Sequence, residues 1–287
     1  MIPETKAEES WDLEIKAKNS LFDLKLDEVW HYRDLMWLFV KRDFIAQFKQ
    51  TVLGPAWHVI QPILTTLMFL LVFGKIAKIP TDGIAPAAFY LAGLTIWNYF
   101  SACLTATSST FTANAGIFGK VYFPRIVIPI SVVLSNMVKF AIQFGLLVVV
   151  VTYYHFNGYP IYLSLNLLFI PLILILMAGI SLGVGIIISS ITTKYRDFSI
   201  LLSFAVQLLM YATPVIYPLS YLKGKNYKWL IDLNPISSVV ESFKYVIFGK
   251  GLVEPYSLLY SVLFMFCALF FGYLIFNRVE KSFMDTV

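Results

Sequence analysis

The stretch LNLLFIPLILILMAGISLGVGIIISSI, residues 165–191, decides the fold class of this chain. It holds no Asp, Glu, Lys, Arg or His, and it exceeds the roughly 20 apolar residues that a helix needs to cross a bilayer. Backbone polar groups find no water inside lipid, so a lone apolar segment satisfies them by forming a helix. The stretch therefore predicts a transmembrane helix.

Apolar segments of similar length lie on both sides of this stretch. Together with it they make six predicted spans, which cover residues 53–76, 87–111, 127–154, 165–191, 198–216 and 256–276. Lys139 is the single charged side chain that falls well inside any of them. The chain is thus predicted to be an all-α membrane protein with a six-helix transmembrane domain over residues 53–276.

The composition argues against a soluble domain. Hydrophobic residues make up 59% of the chain and charged residues 14%, whereas soluble domains carry about 25% charged residues. The net charge of +5 does not indicate a nucleic-acid partner, because the basic residues are not clustered on a polar domain. Polar tails are predicted at residues 1–26, which lack the apolar core of a signal peptide, and at residues 277–287.

The arginines predict the orientation of the chain in the membrane. With a cytoplasmic N-terminus, all of them fall on the cytoplasmic side, as the positive-inside rule requires. They are Arg33, Arg42, Arg125, Arg196 and Arg278. The lysine-rich loop before the last span is the exception, and long loops translocate with less regard to charge. Both termini are therefore predicted to be cytoplasmic.

An amphipathic helix is predicted at residues 27–52, directly before the first span. Its apolar residues Trp37, Val40, Phe44 and Phe48 recur at spacings of three and four, and basic residues supply the other side. Such a helix can lie in the plane of the membrane interface. The alternative, a buried helix of a soluble domain, is disfavoured by the span that follows at once.

The loop before the last span contains a further helix signal. Asn234 and Pro235 suit a helix start, as N-cap and first helical residue, and Gly249 is a natural stop. Residues 217–255 are therefore predicted to form an extracytoplasmic re-entrant element with short helices. A helix resting on the outer surface is an alternative that the sequence leaves open.

Several kinds of chemistry are not predicted for this chain. Gly-Lys occurs four times, but no occurrence has the following Ser or Thr, or the glycine five residues earlier, of a phosphate-binding loop. The chain should not hydrolyse nucleotides itself. His31, His58 and His155 lie far apart without paired Cys or carboxylates, so no metal site is predicted.

Function classes other than transport have little support in the sequence. A membrane-embedded glycan enzyme needs convergent carboxylates or histidines, and the nearest candidates, Asp232 and Glu241, are far from other acids along the chain. A proton-coupled carrier is disfavoured because no acidic pair lies within a span. An ion channel would show a filter sequence or a ring of like charges. No catalytic residue is predicted.

The second span carries hydroxyl and aromatic side chains that suit a sugar polymer. Hydroxyls exchange hydrogen bonds with sugars, and flat rings stack on the C–H faces of pyranoses. The candidate channel-lining residues are Trp97, Tyr99, Phe100, Ser101, Thr105 and Ser108. Helix packing is the competing interpretation, and the stripe taken alone favours it, because small polar residues are common at membrane helix contacts.

Gly179 and Gly183 in the fourth span have G-x-x-x-G spacing. Small residues at this spacing let two membrane helices approach closely. The contact is predicted either within one bundle or between two copies of the chain, and contact within a bundle is the commoner case.

Two predicted inner loops place aromatic and basic groups at the cytoplasmic surface. They contain Lys120, Tyr122, Phe123, Pro124 and Arg125 in the first loop, and Tyr195, Arg196 and Asp197 in the second. Headgroup anchoring is one interpretation of such groups. A docking surface for a cytoplasmic protein is the other.

These features together resemble the membrane subunits of ABC-2 type polysaccharide exporters, the family that moves O-antigen, capsule and teichoic acid. The matching motifs occur in family order from about residue 28 onwards. They are VKRD at residues 40–43, QTVLGPAW at residues 50–57 with Pro62, Phe123-Pro124-Arg125 with Pro129, Tyr195-Arg196-Asp197, and Asn234-Pro235 followed by Gly249.

The resemblance implies the partners and the location. It implies a homodimer in the bacterial inner membrane, joined by two copies of a separate ATPase that carries ATP and Mg, with no cofactor in this chain. The loop around residues 123–125 would carry the helix seated on that ATPase. The substrate would be a lipid-linked polysaccharide, with O-antigen the first choice, then teichoic acid or capsule; a drug or small-lipid exporter is the alternative within the class.

The resemblance also assigns roles to the motifs. The two inner loops would couple the chain to the ATPase, and the second-span stripe becomes a better candidate for the channel wall. The outer gate would be built from Asn234, Pro235, Glu241 and Phe243.

Overall fold

The computed structural model describes residues 26–284, except 50, 119, 122, 160–164 and 227. All the regular secondary structure in this part of the chain is helical, which confirms the predicted all-α class. The α-helices are α1 (Leu26–His31), α2 (Arg33–Phe48), α3 (Trp57–Phe69), α4 (Pro86–Ser108), α5 (Thr110–Phe118), α6 (Val127–Phe156), α7 (Ile170–Thr192), α8 (Phe198–Tyr211), α9 (Lys228–Asp232), α10 (Pro235–Phe248) and α11 (Pro255–Met284).

Five helical segments in the described residues are long and apolar enough to cross a membrane. They are Gly54–Ile76, Pro86–Ser108, Val127–Phe156, Asn166–Thr192 and Pro255–Glu280. The first continues α3 at both ends, through a 3-10 turn at Gly54–Ala56 and a wide π-helical segment at Leu70–Ile76. These segments match five of the predicted spans.

The span predicted at residues 198–216 is helical only over α8. Its 14 residues measure about 21 Å, less than the roughly 30 Å hydrocarbon core. Pro214 explains the early end, because proline lacks the N–H that a helix needs and disfavours helical geometry in the residue before it. Residues 212–216 form a turn in which Thr213 and Val215 are fully buried.

Helix α4 lies at the centre of the bundle. It packs against α6 and α7, and α7 in turn packs against α11. The outer helices α3 and α8 are only loosely attached and leave apolar side chains exposed, such as Leu67 and Phe204. Their exposed faces are suited to contact with lipid or with another membrane chain.

Glycines allow α7 and α11 to touch backbone to backbone. A Cβ on Gly183 would lie 2.7 Å from the carbonyl carbon of Ala268 and 2.8 Å from the amide nitrogen of Leu269, and a Cβ on Gly179 would meet Met265. The G-x-x-x-G pair therefore forms a contact within one bundle, as one of the two interpretations predicted.

The bundle has two distinguishable ends. At one end, the α2 end, an apolar cluster joins α2 to the start of α6 and to the ends of α7 and α11 through Phe39, Phe123, Val127, Ile186 and Phe276. At the other, the α10 end, the loops between helices are tied together, for example by Lys250 Nζ donating to the Gly83 carbonyl at 3.1 Å.

The helix predicted at residues 27–52 is observed as two helices, α1 and α2, which meet at Tyr32. Helix α2 packs on α6. Phe39 and Val40 are buried, whereas Trp37, which the pattern grouped with Val40, is 67% exposed. The buried face of α2 is therefore centred on Phe39 and Val40 and, contrary to the prediction, does not include Trp37.

Helix α10 begins and ends where the sequence predicts. The Asn234 side chain caps it by accepting from the Ile236 N–H at 3.0 Å, and Gly249 stops it with a left-handed φ of 65°. Nearly all of its residues are buried. Helix α10 packs against α4, α7 and α11, so it is part of the bundle.

Candidate substrate cleft and docking surface

An open cleft of about 590 Å³ lies at the α2 end, where α4 and α5 face the end of α7 and the start of α8. Its wall is rich in hydroxyl groups. The hydroxyl cleft, as we name it, is lined by Ser108, Ser109, Thr112, Ala115, Thr192, Thr193, Arg196 and Ser199. Arg196 brings the one positive charge among these lining residues.

The helices themselves hold the hydroxyl groups in place. Ser109 donates to the Ala106 carbonyl at 3.0 Å, Thr112 to the Ser109 carbonyl at 3.1 Å, and Ser199 to the Arg196 carbonyl at 2.8 Å. Each hydroxyl oxygen keeps lone pairs that can accept from a ligand. The cleft therefore offers weak, repeated hydrogen-bonding groups that suit a neutral polyhydroxyl chain.

The predicted channel-lining residues of the second span divide into two groups. Thr105 is exposed and Ser101 is partly exposed, while Ser108 is buried at the wall of the hydroxyl cleft. Trp97, Tyr99 and Phe100 are only 4%, 3% and 1% exposed.

The three rings of the second span pack inside the protomer in this conformation. Tyr99 lies edge-on to Phe140, with ring centroids 5.5 Å apart, and Trp97 contacts Phe100 at 5.4 Å. They fill the centre of the bundle, where α4 meets α6 and α7. Of the predicted lining residues, Ser101, Thr105 and Ser108 are those whose hydroxyl groups face a cleft or the surface.

Of the eight residues that line the hydroxyl cleft, sequence reasoning named only Ser108 and Arg196 as site residues. Thr112 lies in α5, Thr193 directly follows α7, and Ser199 lies at the start of α8. The fold brings these three side chains together at one cleft. The available signal was the density of Ser and Thr in residues 105–112 and 189–193. Separately, each run is equally well explained by helix packing.

Phe123 and Arg125 of the Phe-Pro-Arg motif are buried, and they contact other parts of the bundle. Phe123 is 5% exposed and lies between Phe39 and Phe118, with ring centroids 5.8 Å and 6.0 Å away. Pro124 is half-buried, Lys120 is exposed, and Tyr122 lies outside the described residues. The helix of this loop is α5, which precedes the motif; residues 123–125 are not helical.

Arg125 connects the same loop to the end of α11. Its guanidinium lies 5.0 Å from the Phe118 ring centroid, its NH1 donates to the Glu280 carbonyl at 3.2 Å, and its Nε is 3.7 Å from Glu280 Oε1. Burial lowers the pKa of Arg125 from its ordinary value, and the Glu280 carboxylate opposes this shift. The guanidinium is 6% exposed, and its contacts join this loop to the end of α11.

Tyr195, Arg196 and Asp197 form an exposed turn between α7 and α8, at the same end as Lys120. Tyr195 is 53% exposed, and Lys194 Nζ lies 5.2 Å from its ring centroid. Asp197 precedes α8 without a side-chain cap hydrogen bond. The docking surface, as we name it, consists of Lys120, Val121, Tyr195, Arg196 and Asp197, all exposed.

The predicted gate residues attach α10 to the bundle. Asn234 Nδ2 donates to the Ala212 carbonyl at 3.1 Å and to Thr213 Oγ1 at 2.9 Å. Pro235 is half-buried, and its carbonyl accepts from Ser261 at 2.6 Å. Phe243 is fully buried, 6.1 Å from Phe140 between ring centroids. These contacts join α10 to α6, α11 and the turn after α8.

Two buried ionisable groups complete this attachment. Glu241 is 2% exposed, its Oε1 accepts from the Leu252 N–H at 3.4 Å, and burial raises its pKa. Lys244 donates to the Pro214 and Val215 carbonyls and lies 3.7 Å from the Phe89 ring centroid; burial lowers its pKa. Asp232 instead forms an ion pair with Lys228 at 3.3 Å. Within the described residues, no three His, Cys, Asp or Glu side chains gather as metal ligands would.

A multi-pass helical bundle with an open polar cleft at one end is an architecture suited to a membrane transport protein. The family description "ABC-2 type transporter" matches residues 34–248, and the chain belongs to that family of transporter permeases.

Relatives extend this similarity over most of the chain. An O-antigen export system permease protein RfbA of Klebsiella pneumoniae is 28% identical over 254 residues, which cover 88% of this chain and 94% of the relative. An RfbA of Myxococcus xanthus is 27% identical, covering 82% and 89%. The polysialic acid transport protein KpsM of Escherichia coli is 22% identical, covering 85% and 93%.

Proposed function

We propose that this chain is the membrane subunit of an ATP-driven exporter of lipid-linked polysaccharide, with an O-antigen type of glycan as the substrate. The hydroxyl cleft is the observation that carries the proposal, because it offers a sugar chain many weak hydrogen bonds at the end of a membrane bundle. The names of the RfbA relatives support the substrate class. A capsule-type polymer is the second candidate, which the KpsM relative supports.

The sugar path continues along α4 in this proposal. Thr105 is exposed on α4 one turn before Ser108, and it extends the polar surface from the hydroxyl cleft along the helix. Ser101, one turn further, is partly exposed and lines a second polar cavity between α2, α3, α4 and α6. A second copy of the chain closes the path, with the exposed apolar faces of α3 and α8 as the contact. Helix α8 and the turn at residues 212–216 together form the sixth crossing, and α10 gates the outer end.

The docking surface receives a separate ATPase that holds ATP and Mg. The α2 end faces the cytoplasm in the bacterial inner membrane, since the arginines lie at this end and anionic lipid and the positive-inside rule favour them there. Both termini are then cytoplasmic. Binding of the ATPase at this end places the source of energy next to the hydroxyl cleft.

Replacing Thr112 with tryptophan tests the sugar path. The bulky ring should fill the hydroxyl cleft, so surface glycan should fall to the level of a strain without the chain, while the protein still reaches the membrane. The measurement is surface glycan by gel and lectin or antibody staining. Thr152→Trp is the matched control, an exposed threonine near the α10 end of α6. Normal surface glycan with a correctly inserted T112W protein would contradict the proposed path.

Replacing Tyr195 with alanine tests the docking surface. An aromatic anchor at an interface contributes about 2 kcal/mol, which is roughly thirtyfold in affinity. The ATPase should therefore co-purify poorly with Y195A, and glycan export should fall. Tyr153→Ala, at an exposed tyrosine 63% accessible at the other end, is the control. Undiminished binding of the ATPase to Y195A would exclude Tyr195 from the interface.

A further inference from the structure

A second polar cavity lies inside the bundle, between α2, α3, α4 and α6. Its volume is about 250 Å³, far more than the roughly 30 Å³ that one water molecule occupies. We name it the amide cavity, because five of its lining side chains are amides: Gln47, Gln61, Asn98, Asn136 and Gln143. His58, Tyr99 and Lys139 also line it, and it shares no lining residue with the hydroxyl cleft.

Two polar atoms in the wall of the amide cavity are buried without a partner, His58 Nε2 and Asn136 Oδ1. Their side chains are 9% and 3% exposed. The hydroxyl of Tyr99, which is 3% exposed, lies beside the buried Cys103 thiol. Buried polar atoms are normally hydrogen-bonded, because an unpaired one costs about 1–3 kcal/mol. Their meeting at one cavity indicates a site that a polar occupant completes.

Lys139 adds a positive charge to this cavity. Its ammonium makes no hydrogen bond or ion pair with the described residues of the chain. The neighbouring carboxylate of Asp43 pairs with Arg42 at 2.7 Å and makes no ion pair with Lys139. A lysine in the middle of a membrane helix is costly and is commonly retained for a functional partner.

Several of the remaining side chains of the cavity can donate hydrogen bonds to an anion. Asn98 Nδ2 donates to Gln143 Oε1 at 3.3 Å, which leaves the amino group of Gln143 available. His58, Tyr99 and Gln61 can each donate as well. A phosphoryl group has several strong acceptor oxygens, and a lysine serves it as a point charge within a ring of donors. Asn136 Oδ1 can accept from a hydroxyl beside that group.

We propose that the amide cavity binds a phosphoryl group, with Lys139 as the cation and His58, Tyr99 and the surrounding amides as hydrogen-bond donors. The cavity reaches from Gln47, at the end of α2, to Lys139 in the middle of α6. Such a group can belong to a lipid headgroup or to a free phosphate anion. The lipid source rests on the proposed function, since it is the phosphorylated lipid end of an exported glycan.

The test is binding of phosphoryl probes to the purified complex of this chain with its ATPase in detergent. Farnesyl diphosphate represents a lipid headgroup, inorganic diphosphate a free anion, and farnesol the uncharged chain. Wild-type complex should bind a diphosphate probe, and Lys139→Met should weaken that binding about tenfold or more, because a charge-assisted hydrogen bond is lost. Lys139→Arg should restore much of it.

The matched control is Lys75→Met. This exposed lysine lies at the end of the Gly54–Ile76 segment, whereas His58 and Gln61 of the cavity lie near its start, so its loss should leave binding unchanged. Tighter binding of farnesyl diphosphate than of inorganic diphosphate identifies the lipid source, and equal binding identifies a free anion. Equal binding of farnesol and farnesyl diphosphate, or unchanged binding by K139M, overturns the proposal. Because binding is measured without export, this failure is distinct from a failure of glycan export in the Thr112→Trp experiment.

Discussion

Gly183→Leu is expected to abolish the folded protomer. Even a methyl group at this position would lie 2.7 Å from the backbone of Ala268, closer than carbon atoms approach, and leucine adds three more carbons. Neither backbone can move without separating α7 from α11, the most extensive helix contact in the bundle. Overpacking a side-chain core costs about 1–3 kcal/mol, and a backbone collision exceeds this range.

The measurement is the yield of monodisperse protein and its midpoint of thermal unfolding in detergent. Gly183→Ala should lower the midpoint, and G183L should give little or no folded protein. Gly145→Leu is the matched control, a glycine of α6 whose Cβ would meet no atom within 4 Å. A G183L protein with normal yield and normal midpoint would show that α7 and α11 are not in this close contact.

Arg125→Ala is expected to be the most damaging polar substitution at the α2 end. Truncation of one partner of a buried ion pair costs about 3–5 kcal/mol, and we expect the lower value, about 3 kcal/mol, because the Glu280 side chain is 33% exposed. The change also removes the contact with the Phe118 ring and the hydrogen bond to the Glu280 carbonyl. The end of α11 then loses this polar attachment to the loop before α6 and keeps the apolar contacts of the cluster around Phe123 and Phe276.

Thermal unfolding of the purified protein and protease sensitivity of the α2 end measure this effect. Arg42→Ala is the control, since that arginine is 42% exposed in its pair with Asp43 and such surface pairs contribute about 0–1 kcal/mol. Arg125→Lys should recover only part of the stability, because an ammonium does not reproduce the planar stacking of a guanidinium. Equal effects of R125A and R42A would refute the structural role.

The sequence was most informative where local chemistry determines structure. Helix α10 begins at the Asn234 cap and ends at Gly249, because a side-chain acceptor and a left-handed glycine act within one turn. Five spans follow from length and apolarity alone. The prediction for residues 198–216 gave too much weight to apolarity, since Pro214 limits the helix to α8.

The sequence by itself therefore determined the membrane class, most of the helices and the family motifs. Tertiary structure decided which faces are open. Phe123 and Arg125 belong to the interior, the rings of Trp97, Tyr99 and Phe100 are buried, and the hydroxyl cleft and the amide cavity are assembled from distant helices. The physical reason is that lipid and protein interior are equally apolar to a membrane helix, so hydrophobic periodicity cannot distinguish the face that packs from the face that does not.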